Sequence, residues 1–208
     1  MHTQPSQYRD VYTAQMPVVL ASASPRRHDF LHDLGIAFSV CTVPGAEPAP
    51  LAGEVPDAFA RRAAHAKTVA AAAEHPRACT IGADTIVVLH TEIMGKPHNT
   101  AHALAMLTRL AGATHQVITG VCVALPDSRT ISFTVSTHVT MAPHSQDALR
   151  AYIRTGEPMD KAGAYAIQGI GAFLVTRIDG SWSNVVGLPV VELLEVLMRE
   201  QVVAVMPG

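Results

Sequence analysis

Cysteine is scarce in this chain. Three of its 208 residues are cysteines, Cys41, Cys79 and Cys122, far apart and with no Cys-x-x-Cys among them. That argues against a disulfide or zinc framework and for reduced thiols in a cytoplasmic setting. No apolar run is long enough to span a bilayer, so no membrane partner is expected. The first 15 residues are polar and lack the hydrophobic centre of a secretory signal. Residues 1–16 read as a flexible leader to a single domain over 17–208. Fifteen basic residues stand against 17 acidic ones and form no stripe, which argues against a nucleic-acid partner. The phosphate loop GxxxxGK[ST], the dinucleotide turn GxGxxG, the nucleophile elbow GxSxG and the zinc motif HExxH are all absent. Kinase, dinucleotide, serine-hydrolase and zincin readings lose their usual support.

What is there is apolar: 49% of residues, with a mean hydropathy of +0.23, enough for a large core. The patterning predicts strands at 17–22, 36–42, 79–89, 115–125, 131–141, 170–178 and 181–186. It predicts helices at 25–34, 56–74, 100–111, 145–155 and 189–200, with loops at 43–55 and 156–168. Alternating strands and helices with one long hairpin imply an α/β fold around a mixed, twisted sheet flanked by helices. There is no internal repeat and no low-complexity linker.

The densest chemistry lies in Leu20-Ala21-Ser22-Ala23-Ser24-Pro25-Arg26-Arg27. Two hydroxyls and two guanidiniums sit where a strand turns into a helix. Pro25 suits the first helical position and Ser24 the N-cap. A helix start offers free N–H groups and the positive end of the macrodipole. Arginines bind phosphate oxygens in a planar fork. Together these make a polyphosphate site; the plainer alternative is a capped helix with solvated arginines.

Asp84 interrupts the apolar strand Ile81-Gly82-Ala83-Asp84-Thr85-Ile86-Val87-Val88. A buried carboxylate is costly without a partner or a metal, so Asp84 is a candidate metal ligand or general base, or else a turn aspartate. Lys96 in Gly95-Lys96-Pro97 could reach a phosphate or an acidic site. The loop from Gly156 to Gly169 holds Glu157, Asp160, Lys161 and Gln168 between glycines. It is either a site or a surface connection with Lys161 paired to Asp160 or Glu157. Glu47, in the proline-rich loop, and Lys67, on an alanine-rich helix, are lesser candidates. His28/His32 and His98/His102 have metal-compatible spacing but lack a third ligand nearby, and read as exposed helix positions.

These blocks, in this order, resemble the Maf family of nucleoside triphosphate pyrophosphatases. LASASPRR at 20–27, GADT at 82–85, GKP at 95–97, LAGATHQVITGV at 110–121, EPMDKAGAYAIQG at 157–169 and NVVGLPV at 184–190 carry the likeness. The resemblance implies hydrolysis of a triphosphate to monophosphate and pyrophosphate with Mg²⁺ or Mn²⁺. It implies a mixed α/β fold with two lobes around a cleft, similar to inosine triphosphate pyrophosphatases, and a homodimer. It places Asp84 and Lys96 in catalysis, and Glu47 with Asp84 on the metal. It places Ser22, Ser24, Arg26, Arg27, Thr85 and Gln168 on the substrate. Lys67 and Lys161 are expected as further substrate contacts on their own chemistry. The DKAGAYAIQG form resembles the branch acting on dTTP and UTP. A competing reading is a nucleotide-binding regulator of cell division with little turnover.

Overall fold

The computed structural model describes residues 11–207. Residues 1–10, most of the expected leader, lie outside that range. The rest of the leader is held: β1 (Tyr12–Ala14) pairs antiparallel with the C-terminal β9 (Val203–Val205). A local reading of the sequence has no access to a pairing that joins the two ends of a chain.

The first half is a β-α-β-α-β unit. β2 (Val18–Leu20) leads into α1 (Pro25–Asp33) and the short β3 (Ser39–Val40), and α2 (Pro56–Glu74) returns to β4 (Cys79–Leu89). β2 is parallel to both β3 and β4. The expected strand at 36–42 contracts to two residues because only those reach the edge of β2.

The second half is antiparallel. β5 (Glu92–Met94) folds back on β4, and α3 (Thr100–Leu110) leads to β6 (Thr114–Ala124) and β7 (Thr130–Met141). α4 (Gln146–Arg154), three short 3₁₀ turns, β8 (Val175–Asp179), α5 (Trp182–Val186) and α6 (Val190–Arg199) follow. The sheet order is β3-β2-β4-β6-β7-β8, with β5 pairing β4 on the same edge as β2. Two expected strands are corrected here. Residues 169–174 form a 3₁₀ helix, and 182–186 are helical because the Ser181 hydroxyl accepts from Asn184 N–H at the N-cap.

Strand β4 organises the molecule. On one edge it pairs with β6 from Thr80 to Val88. On the other it pairs with β2 over 79–81 and with β5 over 87–89. Between these partners, residues 82–86 present an open edge.

The core divides at the same place. Cys79, Ile81 and Ala83 pack with α1 and α6 residues such as Leu31, Leu193 and Leu197. Val87 and Leu89 pack with α3 and α4 residues such as Leu107, Leu110 and Leu149. These are two lobes, and the opening in the sheet is the cleft between them.

Helix α2 covers the opposite face. Ala60, Ala63, Phe59, Ile86, Val88 and Ile118 form its interface. Glycines let it approach: a Cβ on Gly120 would collide with the Ala60 carbonyl, and one on Gly82 with Thr68 Oγ1. Alanine-rich α2 and glycine-bearing strands thus bring helix backbone against sheet.

Candidate active site

The cleft has a volume of about 980 Å³. That is at the upper end for a small-molecule site. Ser22, Ser24, Arg26, Arg27, Glu47, Lys67, Asp84, Thr85, Lys96, Lys161 and Gln168 all line it. Residues separated by more than a hundred positions therefore share one hollow.

Strand alternation sends Asp84 and Thr85 to opposite faces. Asp84 points toward α2, where Lys67 Nζ lies 2.6 Å from Asp84 Oδ1 and 2.7 Å from Glu47 Oε1. The Lys67 side chain is 13% exposed and Asp84 18%, whereas Glu47 is 74% exposed. The ammonium thus bridges one sheltered carboxylate and one at the surface. Its hydrogen bond and charge hold the Glu47 carboxyl below the usual range. The partner that a buried Asp84 requires is supplied by the helix residue read as a lesser candidate.

Thr85 faces a different network. Arg27 Nη2 donates to Thr85 Oγ1 at 3.0 Å, Nη1 to Ser22 Oγ at 3.0 Å, and Nε to the Gly187 carbonyl at 2.7 Å. Thr85 Oγ1 also lies 2.9 Å from Thr119 Oγ1. Burial, with the charge of Arg26 adding, pulls Arg27 down to about 10, while Asp84 and Glu47 oppose the fall. It therefore stays cationic at neutral pH. Arg26 is less enclosed and donates from Nε to the Val186 carbonyl at 3.3 Å. Ser24 takes the N-cap position and Pro25 the first turn, as expected, but the Ser24 hydroxyl makes no capping bond.

Two participants lie in the NVVGLPV block and are not among the expected site residues. The carbonyls of Val186 and Gly187, at the end of α5, hold both arginines. Gly187 has φ of 128°, which suits glycine and turns its carbonyl inward. Behind it, fully buried Asn184 donates to the Val117 carbonyl and to Thr137 Oγ1, each at 3.0 Å. An asparagine inside an apolar run was the available signal.

The far wall comes from the 157–169 segment. Gly163 N–H donates to the Gly95 carbonyl, docking this segment beside Lys96. Glu157 accepts from the N–H groups of Ile170 and Gly171 at 2.9 and 2.8 Å, tying the segment's two ends together. Burial raises the Glu157 carboxyl, but hydrogen bonds from Tyr152, Ile170 and Gly171 bring it below the usual value. Lys161 Nζ donates to Asp160 Oδ1 and to the Glu157 carbonyl, each at 2.6 Å. Gln168 is exposed on the rim. Tyr165 is buried in the wall, 2.7 Å from His115 Nε2.

The histidine pairs have other neighbours. His28 Nε2 lies 2.8 Å from the Ser22 carbonyl, and the His98 and His102 rings stack at 4.9 Å.

Fold and cleft together define an α/β protein with fixed cations, hydroxyls and one sheltered carboxylate, a site suited to a polyanion. The chain belongs to the Maf-like protein family, whose profile matches residues 17–200. A relative from Oleidesulfovibrio alaskensis is 57% identical over 194 residues, covering 92% of this chain and 89% of the relative. One from Nitratidesulfovibrio vulgaris is 54% identical over 188 residues, 90% of each chain. One from Geobacter sulfurreducens is 49% identical, covering 88% of this chain and 95% of the relative. All three carry the name dTTP/UTP pyrophosphatase. Among solved structures, the Staphylococcus aureus Ham1 protein aligns with a TM-score of 0.52 over 89% of this chain and 99% of that one. At 15% identity that likeness concerns the fold.

Proposed function

We propose that the protein hydrolyses nucleoside triphosphates, dTTP and UTP foremost, to the monophosphate and pyrophosphate. The observation that carries this is Asp84, a sheltered carboxylate at the open edge of a strand, in one cleft with Arg26, Arg27, Lys96 and Lys161. A bound triphosphate repels an incoming nucleophile. Arg26, Arg27 and Lys96 reduce that repulsion and stabilise the charge gathering on the pyrophosphate leaving group. Lys67 holds Asp84 Oδ1, which fixes the carboxylate for its second oxygen to orient a water and take its proton. No covalent nucleophile enters. Cys79 lies inside the sheet, and burial pushes its thiol up to about 12.

A divalent cation fits these residues. Glu47 and Asp84 both contact Lys67 Nζ, so the two carboxylates converge on one region. Hard oxygens suit Mg²⁺ or Mn²⁺, which take few protein ligands and fill the remainder with water and phosphate. Bound there, the cation would neutralise phosphate charge.

The names of the relatives support the pyrimidine preference. So does Gln168, whose amide offers both a donor and an acceptor to a pyrimidine edge. Pairing into a homodimer is a further part of the proposal; Ile170, Phe173 and Trp182, 56%, 46% and 45% exposed, offer apolar surface for it. No described helix is long and apolar enough to cross a membrane. Three free, separated cysteines support a cytoplasmic location.

The test is incubation with dTTP and separate assays of pyrophosphate and orthophosphate, with and without chelator. Stoichiometric pyrophosphate, lost on chelation, is expected. Orthophosphate release, or binding without turnover, would replace this reading with a phosphohydrolase or a nucleotide-binding regulator.

A further inference from the structure

We infer that Cys41, Glu74 and His75 form a binding site for a divalent cation of the zinc class, distinct from the carboxylates on Lys67. Two elements bring these side chains together. Glu74 is the last residue of α2 and His75 is its C-cap. Cys41 follows β3 and is anchored by its N–H to the Leu20 carbonyl at 3.1 Å. A sulfur, a carboxylate oxygen and an imidazole nitrogen lie within 4.8 Å of one another.

The geometry is close to that of a bound ion. Cys41 Sγ is 3.4 Å from Glu74 Oε2. Zinc bonds of about 2.0–2.3 Å place tetrahedral ligands roughly 3.3–3.8 Å apart. The thiol–carboxylate pair already has that separation, and a His75 ring nitrogen lies within 4.8 Å of both atoms. Three protein ligands leave a fourth position for water. Cys41 is 9% exposed and lines the cleft, so an ion has a path to it.

The surroundings favour a cation. The last turn of α2 contains no basic residue to meet the negative end of the helix dipole. Thiolate and imidazole select zinc or cobalt over magnesium or manganese. Binding releases the thiol proton and leaves a thiolate on the metal. The ion would tie the end of α2, the helix carrying Lys67, to the strand that enters the Glu47 loop.

The test uses the full chain with Asp84→Asn, which weakens cation binding between the cleft carboxylates. Cobalt is titrated in while the thiolate-to-cobalt charge-transfer band is followed, and zinc is then added with a chromophoric chelator as competitor. Cys79 and Cys122 are 0% exposed within the sheet, so a thiolate band reports Cys41. The expected result is one equivalent of cobalt, displaced by zinc and not by excess magnesium. Cys41→Ser should abolish the band, and His75→Ala should weaken zinc binding by about tenfold or more. A thermal melt checks that each variant is folded; should Cys41→Ser not fold, His75→Ala carries the test. No thiolate band in the folded protein overturns the inference, as does a band that survives Cys41→Ser. Unchanged zinc affinity in folded His75→Ala overturns it equally.

Discussion

Asp84 and Thr85 are neighbours on one strand, but the faces they serve are held in different ways. The Asp84 face is ionic: Lys67 spans a sheltered carboxylate and an exposed one. The Thr85 face is a set of hydrogen bonds from one buried guanidinium to two hydroxyls and a carbonyl. Ion pairs reaching into solvent exchange partners at little cost. Buried, satisfied networks do not, because each broken bond strands a desolvated group. On the function proposed above, the Thr85 face would present a guanidinium already oriented before a ligand binds, and the Asp84 face would keep carboxylates able to trade Lys67 for metal or water.

The largest test of this division is Asp84→Asn. The change is isosteric and removes charge and basicity. Turnover should fall by about 10²–10⁴, the range for a lost general base. Folding, followed by thermal melting, should change little. Near-normal turnover by the folded variant would remove Asp84 from the chemistry and leave the ionic face structural.

The buried face should respond to acid. His115, 2% exposed, lies on the Thr85 side of β6, behind the Tyr165 wall. Burial lowers it to about 4 from the ordinary 6.5. The unfolded chain therefore takes up this proton at higher pH than the folded one. Its contribution is fully present above about 6.5 and is lost as pH falls toward 4, reaching roughly 3 kcal/mol. Urea unfolding across that window should show the loss, and His115→Gln should flatten it. An identical slope in the variant would assign the acid sensitivity to other groups.

Arg26 and Arg27 are adjacent, yet only Arg27 is buried in the network. From sequence alone, both substitutions should harm triphosphate binding far more than folding. The structure changes that for Arg27. Arg27→Ala removes three buried hydrogen bonds and leaves the Gly187 carbonyl only the longer one from Thr85 Oγ1 at 3.4 Å, costing about 2–3 kcal/mol of stability as well as activity. Arg26→Ala should lower activity by roughly tenfold to a hundredfold with little change in melting. Equal stability losses in the two variants would erase the distinction.

The smallest effect belongs to Gln168. Gln168→Ala should narrow the preference for dTTP and UTP over CTP and GTP by roughly tenfold, with little loss of stability. Equal loss on every substrate would confine Gln168 to loop support or catalysis.

Much of this site was legible because its signals are local. A hydroxyl-rich strand end followed by Pro-Arg-Arg defines a helix start wherever the chain goes. A carboxylate in an apolar strand demands a partner by the cost of burying charge alone. What was not legible depends on distant residues. Val185 and Val186 suit a strand, yet the Ser181 cap and the Asn184 bonds to β6 and β7 wind them into a helix whose end holds both arginines. Lys67 read only as a lesser candidate because nothing near it in sequence marks the glycines that let α2 reach the sheet.

Most strands and helices, the strand-to-helix turn that carries two hydroxyls and two arginines, and the need for a partner at Asp84 could be read from the chain alone. These follow from periodicity, capping and desolvation, which act within a few residues. Only the tertiary structure decided that β2 and β5 leave residues 82–86 of β4 uncovered, that Lys67 is the partner, and that β1 closes on β9. Those outcomes depend on which edges and faces meet, and such contacts form between segments that carry no record of one another.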